Sequence, residues 1–274
     1  MLNNNVSTQN AEFWSELCGS SLAKSIGIED SSVASLRKYD DWYFKFYPYL
    51  DTYIPFLLMN GKDVLEIGLG YGTVSQRLAE SGSNYTGIDI SPGPVNMVNH
   101  RLKQSSLPGA AIQQSILQPD FKDNSFDCIV AIGCLHHTGD LRLALDNCRR
   151  ILRPGGKMIF MVYYAYSYRR FRMAFIRTLL YSLKEIFGYR GVVGKSTDKE
   201  RSAYDQSSTG CGAPHTDFIS IKSLQEFCNE YSNFASNLEN ISRELPFIHK
   251  SRERLLNTKY PRVCGLDLYV TVTK

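Results

Sequence analysis

Glu66, Gly68, Gly70 and Gly72, followed by Asp89, are the residues whose types and spacing specify chemistry most directly. Closely spaced glycines let a backbone turn tightly and approach a ligand with no Cβ in the way. They follow the short apolar run 63–67, which reads as a buried parallel strand. They precede 74–80, whose apolar residues at 74, 78 and 79 are spaced as on a helix. Strand, glycine turn and helix open a nucleotide-type site. The dinucleotide fingerprint is G-x-G-x-x-G; here the third glycine arrives one residue early, at Gly72, and Thr73 takes the other place. Glu66 would repel a pyrophosphate drawn to the helix N-terminus, and it suits an ammonium group. Asp89 ends the core of a second apolar run, 21 residues after Gly68, where an acid can bind ribose hydroxyls. Together they describe a ligand with a ribose and an amino group but no phosphate.

S-adenosylmethionine fits that description better than NAD. At these residues the chain resembles the class I S-adenosylmethionine-dependent methyltransferases, and over about 60–163 it is similar to the methyltransferase type 11 domain. Leu65 to Gly72 looks like the first motif and Gly87 to Ser91 the second. Asp123 to Asp127, Cys128 to Gly133 and Leu135 to Thr138 look like the stretch around the fourth strand, and Arg150 to Lys157 like the turn into the fifth. The resemblance implies a Rossmann-like, doubly wound seven-stranded α/β sheet whose final strand is antiparallel. It implies that Gly68, Gly70, Tyr71, Gly72 and Thr73 cradle the methionine part of the cofactor, that Glu66 faces its ammonium, and that Asp89 holds the ribose with Ile90 against the adenine. Ala131 and Gly133, at the end of the fourth strand, would border the same ligand. Where the family carries an Asp toward the adenine amino group, this chain has Ser115, followed by Ile116; a hydroxyl still accepts one hydrogen bond. For Glu66 a purely structural ion pair is the other reading.

Methyl transfer needs little from the protein beyond alignment, because the sulfonium is already activated. A base is required only for an acceptor that arrives protonated. His136 and His137 lie just past the fourth strand, and histidine titrates in the useful range. His215 follows a Gly-rich segment and becomes a second base if that segment folds over the pocket. Adjacent histidines on an extended chain point apart, so no metal site is expected.

The elements that would position these groups can be read around them. Residues 1–59 form a strongly aromatic arm, in which Tyr39, Tyr43 and Tyr47 share one helix face; Tyr43 is the candidate to close the cofactor pocket. The methyltransferase domain then spans 60–274, interrupted by a lid insertion over 164–217. Strands are expected near 63–67, 85–89, 110–114, 127–132 and 157–163, a helix over 221–234 and a last strand over 266–272. Pro154-Gly155-Gly156 is a turn signal. Within the insertion, 169–190 reads as one amphipathic helix with six basic residues and one acid, to be a lid, a dimer element or a membrane contact.

The chain has 274 residues, 43% hydrophobic, and a net charge of +4 from 31 basic and 27 acidic groups. That balance argues against nucleic acid as a partner. Seven cysteines without a C-x-x-C pair suggest reduced thiols in a cytoplasm. No secretory signal or membrane span is read. The leading expectation is a methyltransferase acting on an oxygen or nitrogen of a small biosynthetic intermediate, releasing S-adenosylhomocysteine, with a homodimer possible. The alternatives are methylation of a glycan, lipid or quinone precursor at a membrane surface, or a non-catalytic cofactor-binding partner subunit.

Overall fold

A computed structural model describes residues 2–17, 20–207, 209–241 and 250–274; Cys18 lies outside them. Seven strands form one sheet: β1 (Asp63–Ile67), β2 (Asn84–Asp89), β3 (Ala110–Gln113), β4 (Phe126–Ile132), β5 (Leu152–Tyr163), β6 (Ser232–Glu239) and β7 (Asp267–Thr273). Their order is β3-β2-β1-β4-β5-β7-β6. The first five strands run parallel, and β7 pairs antiparallel with both β5 and β6. Chain direction across the sheet reverses between β1 and β4, which opens a crevice at the carboxyl ends of those strands.

Strand alternation divides the core into two layers. Leu65, Ile67, Ile129 and Ala131 face one side, packed by Leu141, Ala144, Leu145 and Cys148 of α7 (Leu141–Ile151) and by Leu224 of α11 (Ile221–Phe227). Val64, Cys128 and Val130 face the other, against α5 (Thr73–Glu80) and α6 (Pro92–Gln104). The N-terminal arm supplies α1 (Leu2–Leu17), α2 (Ser20–Ser25), α3 (Val33–Phe46) and α4 (Leu50–Tyr53). Leu50, Ile54, Phe56 and Met59 join that second layer, so the arm shares a core with the sheet. Asp40 of α3 ties the two together: it accepts from Thr73 Oγ1 at 2.6 Å and from both terminal nitrogens of Arg101 at 2.9 and 3.0 Å.

The insertion contains α8 (Tyr168–Met173), α9 (Phe175–Ile186) and α10 (Asp198–Ser202). The single helix expected over 169–190 is therefore two, separated at Ala174, whose φ −139° and ψ 43° leave the helical region. The helix expected over 221–234 stops at Phe227, and Ser232 already belongs to β6. Asn and Ser are poor helix formers, and Asn233 adopts a left-handed φ of 53°. The Pro154-Gly155-Gly156 turn appears as a bulge in β5. Leu152 pairs with Phe126 and Lys157 with Cys128, which leaves the residues between them looped out. Two short helices, α12 (Arg252–Leu256) and α13 (Tyr260–Cys264), lead into β7. Among the described residues no helix is long and apolar enough to cross a membrane.

Candidate functional site

The glycine turn divides into two kinds of position. Gly68 has φ 77°, and a Cβ there would lie 2.3 Å from Cys134 Cβ. The absent side chain thus lets the end of β1 touch the segment after β4. Gly70 has φ 52° and only open space where its Cβ would stand, on the wall of a pocket of about 210 Å³. Gly72 has φ 80° and faces away from that pocket; a Cβ would meet Arg101 Cδ at 2.8 Å. Its role is therefore packing between α5 and α6. Tyr71 and Thr73 also stand outside the pocket wall. The Tyr71 ring packs on Tyr39 at 4.3 Å between centroids, and Thr73 is bonded to Asp40.

Four chain segments enclose the pocket. Gly68 and Gly70 form one side; Asp89 and Ile90 at the end of β2, with Pro94 behind them, form the next. Ser115, Ile116 and Leu117 follow β3, Ile132 ends β4, and Gly133, Cys134, His137 and Thr138 come after it. The Asp89 carboxylate is pinned by two backbone groups, accepting from Leu69 N–H at 2.9 Å and Ser91 N–H at 2.8 Å. The Ser91 hydroxyl and the Ile90 N–H also act on this carboxylate, which borders the pocket. Burial raises its pKa, opposed by those backbone donors. Helix α1 covers the mouth. Asn10 Nδ2 donates to His137 O at 2.6 Å, Ser91 Oγ donates to Ala11 O at 3.0 Å, and the Trp14 ring leans on His137 at 4.6 Å.

Other expected site residues are displaced. Ala131 is fully buried within the sheet layer packed by α7, because strand alternation turns it away from the crevice that begins at Ile132. Tyr43 lies in the aromatic stack of α3, 5.0 Å from Tyr47 and 6.4 Å from Tyr39; Trp14 takes the covering position instead. Glu66 is 3% exposed and lies beneath the turn. Its Oε2 accepts from Ser75 Oγ at 2.5 Å and Tyr85 Oη at 2.7 Å. Burial pushes its carboxyl up to about 7 in spite of those donors. Here the expected ammonium contact gives way to a structural hub joining β1, β2 and α5.

The histidines separate as well. His136 is wedged between the rings of His137 and Tyr163, at 4.2 and 4.1 Å, and burial holds its pKa well below the usual value. It is an interior residue. His137 borders the pocket. Its Nδ1 is 2.7 Å from His215 O, and since a carbonyl only accepts, Nδ1 carries the hydrogen and Nε2 the lone pair. Nε2 lies 3.5 Å from Asp205 Oδ2, and Tyr163 Oη donates to both Asp205 oxygens at 3.0 and 3.1 Å. Burial lowers His137 to about 4 and raises Asp205 to about 6. The His215 ring turns onto Asp217, with Nε2 3.0 Å from Oδ1; it meets His137 through its carbonyl alone. Asp205, Trp14 and Asn10 join the site without a sequence signal. They follow no motif, and only the fold brings them beside residues that do.

Residues 65–160 match the family described as "Methyltransferase domain". The demethylmenaquinone methyltransferase of Tropheryma whipplei (strain Twist) is 32% identical over 99 residues, 36% of this chain and 41% of that protein. A ubiquinone biosynthesis O-methyltransferase of Coxiella burnetii (strain RSA 493 / Nine Mile phase I) is 31% identical over 105 residues, 38% and 44% of the two chains. The chain thus spans less than half the length of these curated relatives. An S-adenosylmethionine dependent methyltransferase from Mesorhizobium loti superposes with a TM-score of 0.55 at 15% identity, over 83% of this chain and 97% of that one. A putative one from Listeria monocytogenes gives 0.55 at 18%, over 84% and 96%. At such identities the likeness speaks for the fold.

Proposed function

We propose that this chain, whose residues 65–160 match a methyltransferase domain, transfers the methyl group of S-adenosylmethionine to a protonated oxygen or nitrogen of a small molecule. The observation that carries this reading is the convergence of Gly68, Gly70, Asp89, Ser115 and His137 on one pocket. The residues fit the cofactor: Asp89 presents a carboxylate at the pocket wall for the ribose hydroxyls, Gly70 leaves room beside the backbone, and Ile90, Ile116 and Leu117 offer apolar walls to a purine. When bound, S-adenosylmethionine supplies a methyl group activated by its sulfonium. Asp89 orients the ribose, and Cys134 and Gly133 border the ligand where the crevice opens toward the acceptor.

On the acceptor side, His137 Nε2 is the group that takes the acceptor's proton. Its tautomer is held by the His215 carbonyl, and Asp205 stabilises the resulting imidazolium. Two acids, Asp205 and Asp267, are buried on this side, and burial raises them to about 6 and about 7. Their environment therefore favours accepting protons.

The test is calorimetry with S-adenosylmethionine and S-adenosylhomocysteine, followed by labelled-methyl transfer into a metabolite extract. Asp89→Ala removes a charged hydrogen-bond acceptor, which contributes about 1.5–3 kcal/mol. Affinity for both ligands should drop about 10- to 100-fold. Unchanged affinity refutes the pocket assignment, and tight binding without transfer to any acceptor favours a non-catalytic role.

A further inference from the structure

Helix α9 is built inside out. Its inward side is polar: Thr178, Tyr181 and Glu185 are buried. Tyr181 Oη donates to Gly191 O at 2.8 Å, and Glu185 accepts from Tyr166 Oη at 2.5 Å, from Ser223 Oγ at 2.7 Å and from Ser220 Oγ. The outward side is apolar. Ile176 is 71% exposed, Ile186 73% and Phe187, at the C-cap, 87%, with Leu179, Leu180 and Leu183 exposed between them. Positions 176, 179, 180, 183 and 187 fall on one continuous stripe. A surface helix ordinarily turns such a stripe to the core, and an outward apolar patch marks an interaction surface.

The charges around the stripe identify what covers it. Arg172, Lys184 and Arg190 are exposed at its ends and flank. The only acid between 168 and 190 is Glu185, which is turned inward and occupied by hydroxyl groups. Two copies pairing through this face would bring these cations against cations. An apolar stripe rimmed by cations suits acyl chains below a layer of anionic headgroups. Two ion pairs hold the hairpin firmly in this attitude: Glu200 of α10 accepts from Arg170 at 3.1 Å and from Arg177 at 2.8 Å.

We propose that the α8–α9 hairpin lies flat on a lipid bilayer that carries anionic headgroups, with the 176–187 stripe inserted at the interface. This does not depend on the reaction assigned above. Flotation with large unilamellar vesicles tests it, using pure phosphatidylcholine against phosphatidylcholine mixed with phosphatidylglycerol. The protein should float with the anionic vesicles, and Ile176→Glu with Phe187→Glu should reduce binding about tenfold or more. Affinity for S-adenosylhomocysteine and the melting temperature should be unchanged, since both side chains lie in solvent. Arg172→Gln with Lys184→Gln, which spares the stripe, should narrow the preference for anionic vesicles. The proposal is overturned if the protein floats with neither vesicle, or if the cation pair proves silent. It is also overturned if light scattering finds a dimer that the Glu substitutions dissociate while flotation is absent.

Discussion

Replacing Glu66 by Gln isolates the energetic cost of a buried carboxylate beneath the glycine turn. Burial raises this group from 4.5 to about 7 in the folded protein. A folded pKa above the unfolded one means that the fold favours the neutral acid. That contribution is complete below pH 4.5 and is lost as pH rises through 7, where the native state carries the charge at a cost. A shift of this size corresponds to about 3 kcal/mol at pH 8. Glutamine keeps an oxygen able to accept from both Ser75 and Tyr85 and never ionises. The variant should therefore match the wild type near pH 4.5 and exceed it by up to about 3 kcal/mol at pH 8. For a chain of this length that is about 5 °C in melting temperature. Urea titrations at a series of pH values measure the difference directly. A difference flat with pH, or a variant that melts lower at pH 8, refutes burial as the dominant influence on this group. Because the side chain faces away from the pocket, affinity for S-adenosylmethionine should change less than about threefold, under 1 kcal/mol. A larger loss restores the ammonium contact.

Three further outcomes follow from the site. His137→Ala should slow methyl transfer about 10²- to 10⁴-fold with cofactor affinity nearly intact, and turnover in the wild type should rise with pH through about 6 as Asp205 loses its proton; Asp205→Asn should abolish that limb of the pH–rate profile. Gly72→Ala, with a left-handed φ and Arg101 in the way, should cost about 1–3 kcal/mol of stability in urea and spare ligand affinity, whereas Gly70→Ala should weaken ligand binding in calorimetry by filling the pocket wall. Trp14→Ala should weaken cofactor binding up to about tenfold, since an aromatic contact contributes about 0.5–1.5 kcal/mol, and a titration showing no change would exclude α1 as a cover.

Those parts of the pocket wall that are local, Gly68, Gly70 and Asp89, are legible in the sequence. A glycine at positive φ and an acid closing a strand are both decided by neighbours a few residues away. The direction in which a helix face points is not local. Periodicity marks 169–190 as one amphipathic helix and leaves it a lid, a dimer element or a membrane contact; that its polar side faces inward follows from Tyr181 and Glu185 meeting Ser220 and Ser223, residues more than thirty positions away. Tyr43 lies on a tyrosine face of α3 that the sequence shows, but the side on which α3 docks is set by the fold. Ser232–Glu239 carries too little apolar signal to read as a strand. It sits at the sheet edge and pairs with β7 alone, so most of its side chains need not be apolar. Asp205 is meaningful only beside His137, a proximity that depends on the whole insertion folding back.

The bond from His137 to the carbonyl of residue 215 has a consequence for how this protein tolerates change. A main-chain oxygen is supplied by every amino acid, so the side chain at 215 is free to vary and His215→Ala should be nearly silent in turnover. What the bond requires is chain length. Asp217 N–H also holds His136 O at 2.7 Å, so the path from Asp205 to Asp217 is clamped at both ends of its approach to the two histidines. Deleting one residue from 209–213 would move the carbonyl and release the imidazole to its other tautomer. A substitution scan would pass over position 215, while single-residue insertions and deletions in 209–213 would be found at once.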